Sequence, residues 1–146
     1  MEIFTIGFTK KNAEEFFGLL EQANISRLID VRIRNRSQLA GFAKRDDLIF
    51  FLDQLLGTDY VHCPELAPTE KLLDEWRDDE ISWETYEERF LKLMDGRDIE
   101  NQLEKDMFDS PTVLLCSEHK PDQCHRRLVV EYLDEEWGQI ETTHLM

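Results

Sequence analysis

The sequence predicts an α/β fold, a three-layer sandwich on a mostly parallel sheet of about five strands, with a helical insertion before the fourth strand. Three observations predict it. Short β-prone runs alternate with segments of helical periodicity, the connections between them are short, and Thr112–Cys116 is an unbroken apolar run of the kind buried on both faces of a parallel sheet. Parallel neighbours need crossovers, and the intervening helices supply them on both sides of the sheet.

Residues 3–7 form the first strand, and Asn12 with Glu15 makes a capping-box pattern that opens a helix burying Ala13, Phe16, Phe17 and Leu20. Residues 27–32 read as the second strand. A polar loop runs on to about Phe42, followed by a helix with Leu48, Phe51, Leu52 and Leu55 at helical spacing. Asp59–His62 is a weak third strand. Thr69 and Ser82 each cap a helix, the first presenting Leu72, Leu73 and Trp76 and the second Tyr86, Phe90, Leu93 and Met94. Ile99, Leu103 and Met107 suggest one more helix, which completes the insertion. After Thr112–Cys116, a loop at residues 117–121 leads into a helix over residues 122–137, and residues 140–145 make the last strand.

A chain of 146 residues with 41% hydrophobic content can build one core, so a single α/β domain over residues 1–146 is expected. No apolar run approaches the roughly 18 residues of a membrane span, and Met1 leads into a strand without a basic leader or cleavage site. Neither membrane association nor export is expected. Cys63, Cys116 and Cys124 cannot all pair with one another and suit a reducing cytoplasm. The net charge of −15 disfavours general affinity for nucleic acid, because such binding needs lysine and arginine to neutralise phosphates. Within this acidic chain the stretch from Arg32 to Arg45 is a local basic patch, with Arg34, Arg36 and Lys44 between.

In open α/β sheets ligands collect beyond the carboxyl ends of the strands. Phe8 and Thr9 follow the first strand, Arg32, Arg34, Arg36 and Ser37 the second, and Cys116, Ser117, Glu118 and His119 the fourth. Asp122 is a plausible N-cap that puts Cys124, His125 and Arg126 in the first turn of the last helix, where the helix terminus attracts anions and lowers a thiol pKa. Arg126 with Arg32 then clamps a phosphate or carboxylate. The competing reading pairs Arg126 with Glu118 or Asp30 as a structural ion pair. Either Cys116 or Cys124 can serve as nucleophile or the two as a redox pair, although their spacing is not CxxC. His62, Cys63, Cys116, His119, Cys124 and His125 supply zinc-ligand types without a recognised spacing, so no metal is assigned. A glycine-rich dinucleotide fingerprint is missing after Gly7 and no Walker-type loop occurs, so no cofactor is assigned.

Thr5-Ile6-Gly7, then Leu28-Ile29-Asp30-Val31-Arg32 with Ser37 and Phe42 downstream, then Leu114-Leu115-Cys116-Ser117-Glu118 with Cys124-His125-Arg126, resemble the domain of unknown function 488 family. The resemblance spans nearly the whole chain and implies a compact α/β domain. It carries over Asp30, Arg32, Ser37, Cys116, Glu118, Cys124, His125 and Arg126 as motif positions and supplies no activity. Phe8 and Thr9 stand where the family commonly shows His and Ser. Asn35-Arg36 replaces a proline, and Glu65-Leu66-Ala67-Pro68 replaces a Leu-Gly segment. A looser likeness to rhodanese-type domains stops at the loop after Cys116, which is glycine-free, and Arg126 is ten residues on, unlike a Cys-x5-Arg cradle.

Two functional readings result. The first is an anion-binding pocket for phosphate, nucleotide or carboxylate, with Asp30, Arg32, Arg34, Ser37 and Arg126 binding. Cys116, Glu118, Cys124 and His125 then supply any chemistry, the thiols as nucleophile and Glu118 or His125 as proton carrier. The alternative is a non-catalytic module that binds a nucleotide or nucleic acid through the stretch from Arg32 to Arg45. A third possibility for the same motif is fold maintenance, with Asp30, Glu118 and the arginines in a buried ion network. The sequence sets no oligomeric state.

Overall fold

The computed structural model describes residues 1–36 and 40–146. Its centre is a five-stranded sheet, parallel throughout, in the order β3-β2-β4-β1-β5, made of β1 (Glu2–Gly7), β2 (Arg27–Asp30), β3 (Asp59–His62), β4 (Thr112–Cys116) and β5 (Glu141–Leu145). The apolar run of β4 lies in the middle, between β2 and β1, with all five residues buried.

The alternation of side chains along each strand divides the core into two layers. Phe4, Ile6, Leu28, Val113 and Leu115 pack under α1 (Ala13–Gln22) and α2 (Arg45–Phe51), against Phe16, Leu20 and Leu48. Ile3, Ile29, Leu114 and Cys116 face the opposite layer, built from α3 (Glu70–Arg77), α4 (Trp83–Gly96), α5 (Ile99–Gln102) and α6 (His125–Trp137). Cys116 therefore faces α6 because it stands two residues beyond Leu114. Gly7 is level with Cys116, and Asp30 with Leu115 and His62, so the carboxyl ends of four adjacent strands meet along one edge.

The caps follow the sequence. Asn12 and Glu15 form a reciprocal capping box, and Thr69 and Ser82 accept the amides of Leu72 and Thr85. Four boundaries differ from expectation. β2 stops at Asp30 instead of residue 32, because the Asp30 carboxylate takes the amide of Arg32 (3.1 Å) and bends the chain out of the ladder. The helix after Lys44 widens into a π turn over Leu52–Leu56, which leaves Leu55 58% exposed instead of in the core. The expected helix through Ile99, Leu103 and Met107 is two short pieces, α5 and a 3₁₀ turn at Lys105–Phe108, broken where Leu103 turns extended. Finally, α6 begins at His125 instead of at residue 122. Cys124 holds the cap position in an extended conformation with no side-chain cap bond, and Asp122 is exposed in the preceding turn.

Candidate functional site

The edge where the strands end is organised first by buried charge. Asp30 is wholly buried and fully bonded: it accepts Nε and Nη2 of Arg32 (both 2.9 Å), the Tyr60 hydroxyl (2.6 Å) and Nδ2 of Asn35 (3.2 Å). Burial alone pushes its pKa up, but these donors, Arg32 foremost, hold it below the ordinary carboxylate value. Arg32 is 3% exposed, lies over the Phe8 ring (5.4 Å), and keeps one nitrogen, Nη1, with no hydrogen-bond partner among the described residues. Phe8 thus supplies a face for the guanidinium where an imidazole was absent.

A second buried cation fixes the loop after β4. Arg126 is 0% exposed and donates to the carbonyls of Glu118 (2.5 Å) and His119 (3.2 Å) and to the Thr5 hydroxyl (3.3 Å). Thr9 clamps the same loop with its amide and hydroxyl on the Ser117 carbonyl. Gly7 makes this approach feasible: a Cβ there would lie 1.6 Å from the Glu118 carbonyl oxygen and 2.9 Å from Nη1 of Arg126. The loop therefore turns successive carbonyls toward Thr9 and Arg126, in contrast to a loop that cradles an anion with successive amides.

Between this loop and α3–α4 lies a cavity of about 240 Å³. Cys116, Cys124 and His125 line one side together with Arg32, and Trp76, Trp83 and Tyr86 form an aromatic wall on the other. Trp83 stacks on Tyr86 at 5.1 Å, and Trp76 meets Trp83 edge-on at 5.3 Å. Tyr86 is buried, yet its hydroxyl has no hydrogen-bond partner among the described residues. Burial, then the neighbouring cysteines, push its pKa up, so it stays a protonated donor.

The orientation of His125 follows from a single contact. Its Nε2 lies 2.7 Å from the carbonyl oxygen of Val31, and a carbonyl can only accept, so Nε2 carries a proton. Nδ1 is then left to face the Cys116 sulfur at 3.5 Å; Nε2 is 3.8 Å from the same sulfur but committed to Val31. The Phe90 ring, 5.6 Å away, backs the imidazole. The adjacent Cys124 thiol, followed by His125 and Arg126, holds Cys116 well below the ordinary thiol pKa in spite of burial. Burial, then the adjacent Cys116, drives Cys124 well above it. His125 is raised: burial opposes its charge, but the adjacent Cys116 favours it. The shifts run in the sense that favours charge on Cys116 and His125 and a retained proton on Cys124.

Of the residues singled out from sequence, the structure gathers Arg32, Arg34, Cys116, Glu118, Cys124 and His125 around the cavity. Asp30 and Arg126 stand behind them as buried supports. Glu118 is exposed at the edge of the site and holds Arg126 through its carbonyl, not its carboxylate. Arg34 pairs with Asp74 (3.0 Å) and Glu70 (3.7 Å). Ser37 lies outside the described residues. Sequence reasoning missed Trp76, Trp83 and Tyr86 as cavity residues; helical spacing marks Trp76 and Tyr86 as inward-facing without distinguishing a cavity wall from core, and gives no signal for Trp83.

The side-chain donor atoms of Cys116, Cys124 and His125 all lie within 4.8 Å of one another, a set that a soft metal ion could also use. With three ligands it falls one short of a closed structural zinc site, and a fourth would have to come from the cavity. No helix is long and apolar enough to cross a membrane among the described residues.

Comparison with curated proteins and with solved structures gives no match. The family model described as "Domain of unknown function DUF488" matches residues 12–133, which include every cavity residue named above and exclude β1 with Thr5 and Gly7. The chain belongs to the DUF488 family.

Proposed function

We propose that the protein is a thiol-dependent enzyme in which the Cys116 thiolate attacks a small substrate held in the cavity and His125 carries the proton. The observation behind this reading is the Val31 contact, which commits Nε2 of His125 and leaves Nδ1 facing the Cys116 sulfur. A nucleophile with its base in contact, and the base oriented by a third group, is the arrangement covalent catalysis needs. The substrate carries an anionic or strongly polar group for Arg32 and Tyr86, and an apolar part for Trp76 and Trp83, all of which line the cavity. Asp30 and Arg126 keep the edge in shape without touching substrate.

The nucleic-acid alternative has less support. Arg32 is neutralised by Asp30, Arg34 pairs with Asp74 and Glu70, and Arg45 lies 3.5 Å from Asp46. A phosphate backbone meets few uncommitted cations there.

Competition alkylation tests the proposal. The native protein is treated with iodoacetamide at pH 6, with and without millimolar phosphate, nucleotides or aromatic carboxylates. Cys116 should label ahead of Cys63, and one anion class should protect it. Labelling that begins only when the protein unfolds would leave Cys116 a structural residue.

A further inference from the structure

Cys124 has no assigned task in a simple thiolate mechanism, yet it is placed against the nucleophile. Its sulfur, the Cys116 sulfur and the His125 ring nitrogen lie within 4.8 Å of one another at the cavity. The backbones that carry the two thiols differ. Cys116 ends the central strand, whose pairing with β1 runs to its last residue, level with Gly7. Cys124 sits at the junction between the turn after Pro121 and α6, in an extended conformation, with no side-chain capping bond to hold its sulfur in place. The two sulfurs, within 4.8 Å of each other, must approach to the roughly 2 Å of a disulfide, and Cys124, outside the sheet, is the partner free to supply that movement.

We propose that Cys116 and Cys124 act as a dithiol that reduces organic hydroperoxides, with Cys116 as the attacking thiol and Cys124 as the resolving one. The proposal rests on the reading of Cys116 as the cavity nucleophile and adds to it a second thiol, a substrate class and a fate for the product. The Cys116 thiolate attacks the terminal oxygen of the hydroperoxide. The S–O bond forms as the O–O bond breaks, and Cys116 becomes a sulfenic acid. The leaving alkoxide takes a proton from Nδ1 of His125, with the Tyr86 hydroxyl as a further donor facing the cavity, and departs as the alcohol. The Cys124 thiol then attacks the Cys116 sulfur. The S–S bond forms, the sulfenic hydroxyl leaves as water, and the electron pair lost by the two thiols is the one gained by the peroxide. A low-molecular-weight thiol reduces the disulfide and closes the cycle.

The cavity favours an organic hydroperoxide over hydrogen peroxide. Trp76 and Trp83 offer apolar surface that only a substrate with a carbon skeleton can use, while Arg32 and Tyr86 meet its polar end. Cys63 takes no part: it is absent from the cavity lining, and its thiol donates to the Glu65 carboxylate at 3.0 Å.

The test uses the full-length reduced protein and one equivalent of cumene hydroperoxide at pH 6 to 7, read by intact mass and disulfide mapping. The expected product is about 2 mass units lighter and carries a Cys116–Cys124 disulfide. Cys124→Ser should instead trap a dimedone-reactive sulfenic acid at Cys116, and its steady-state turnover with a small thiol should fall at least about tenfold. Hydrogen peroxide should react more slowly than cumene hydroperoxide. If Cys116 alkylates readily but the wild type stops at a dimedone-reactive sulfenic acid, as Cys124→Ser should, the dithiol is refuted while the nucleophile reading survives. If Cys116 neither alkylates nor oxidises, both fail. One tightly bound metal ion whose removal unmasks the thiols would also overturn the proposal, and disulfide mapping of the wild type decides the matter even if a variant does not fold.

Discussion

Cys63 and Cys116 are both buried, 3% and 4% exposed, and both stand at the carboxyl edge of the sheet, one just after β3 and the other at the end of β4. Their chemistry is opposite. Cys63 donates to Glu65, and burial together with that carboxylate raises its pKa to about 12. Cys116 stands beside the Cys124 thiol and faces His125, with the Arg126 cation nearby, and is held well below the ordinary value. Burial opposes the thiolate at both positions. What separates them is the sign of the neighbouring groups, so in this fold a reactive cysteine is made by its partners and not by exposure.

The largest effect is expected where the supports of Cys116 are removed. Gly7→Ala drives a methyl group into the Glu118 carbonyl and Arg126, so the loop must shift. A cost of about 3 kcal/mol in chemical denaturation is expected, with loss of selective labelling at Cys116 and no change at Cys63. Wild-type stability and labelling in this variant would mean that the loop does not set the site.

Next comes His125→Asn, which removes the imidazolium while keeping a polar side chain against Val31. Alkylation of Cys116 at pH 6 should fall at least about tenfold, because the thiolate loses its charged neighbour and its pKa moves toward that of Cys63. An unchanged rate would assign the activation to Cys124 and Arg126 alone.

Asp30, on the strand between β3 and β4, gives a pH signature that neither cysteine should share. Its folded pKa is depressed, so the stability it contributes is fully present above the unfolded value near 3.9 and is lost as pH falls through the lower folded value. Acid denaturation of Asp30→Asn should be flatter across that window than that of the wild type. Parallel curves would show that the Asp30–Arg32 pair is not the acid-labile element.

The smallest change is expected at the quiet cysteine. Glu65→Gln removes the carboxylate beside Cys63, so its pKa should come down from about 12 while burial keeps it above the ordinary thiol value. Alkylation monitored above pH 9 should show a slightly earlier onset at Cys63 and an unchanged Cys116.

The strands and caps were legible in the sequence because they depend on neighbours within a few residues. The short apolar runs of β1 and β4, the Asn12–Glu15 box and the Thr69 and Ser82 caps all appear as expected. The clustering of Cys116, Cys124, His125 and Arg32 was legible as well, since each follows a strand that ends on the same edge. The division of labour among them was not. That Arg126 serves loop carbonyls 7 and 8 residues away and the Thr5 hydroxyl 121 residues away, and that Arg32 folds back on Asp30, depends on the path of the chain and not on any spacing rule. The start of α6 at His125 and the exposure of Leu55 fail for a related reason: tertiary hydrogen bonding and a π turn overrode local capping and periodicity.

The central claim is that two equally buried thiols ionise on opposite sides of the ordinary cysteine pKa. The most direct test is the alkylation rate of each cysteine in the native protein between pH 5 and 11, resolved by peptide mass spectrometry. The account predicts Cys116 reacting with a midpoint below the free value of about 8.5 and Cys63 silent until well above it. A single shared midpoint for both, or Cys63 reacting first, would contradict it.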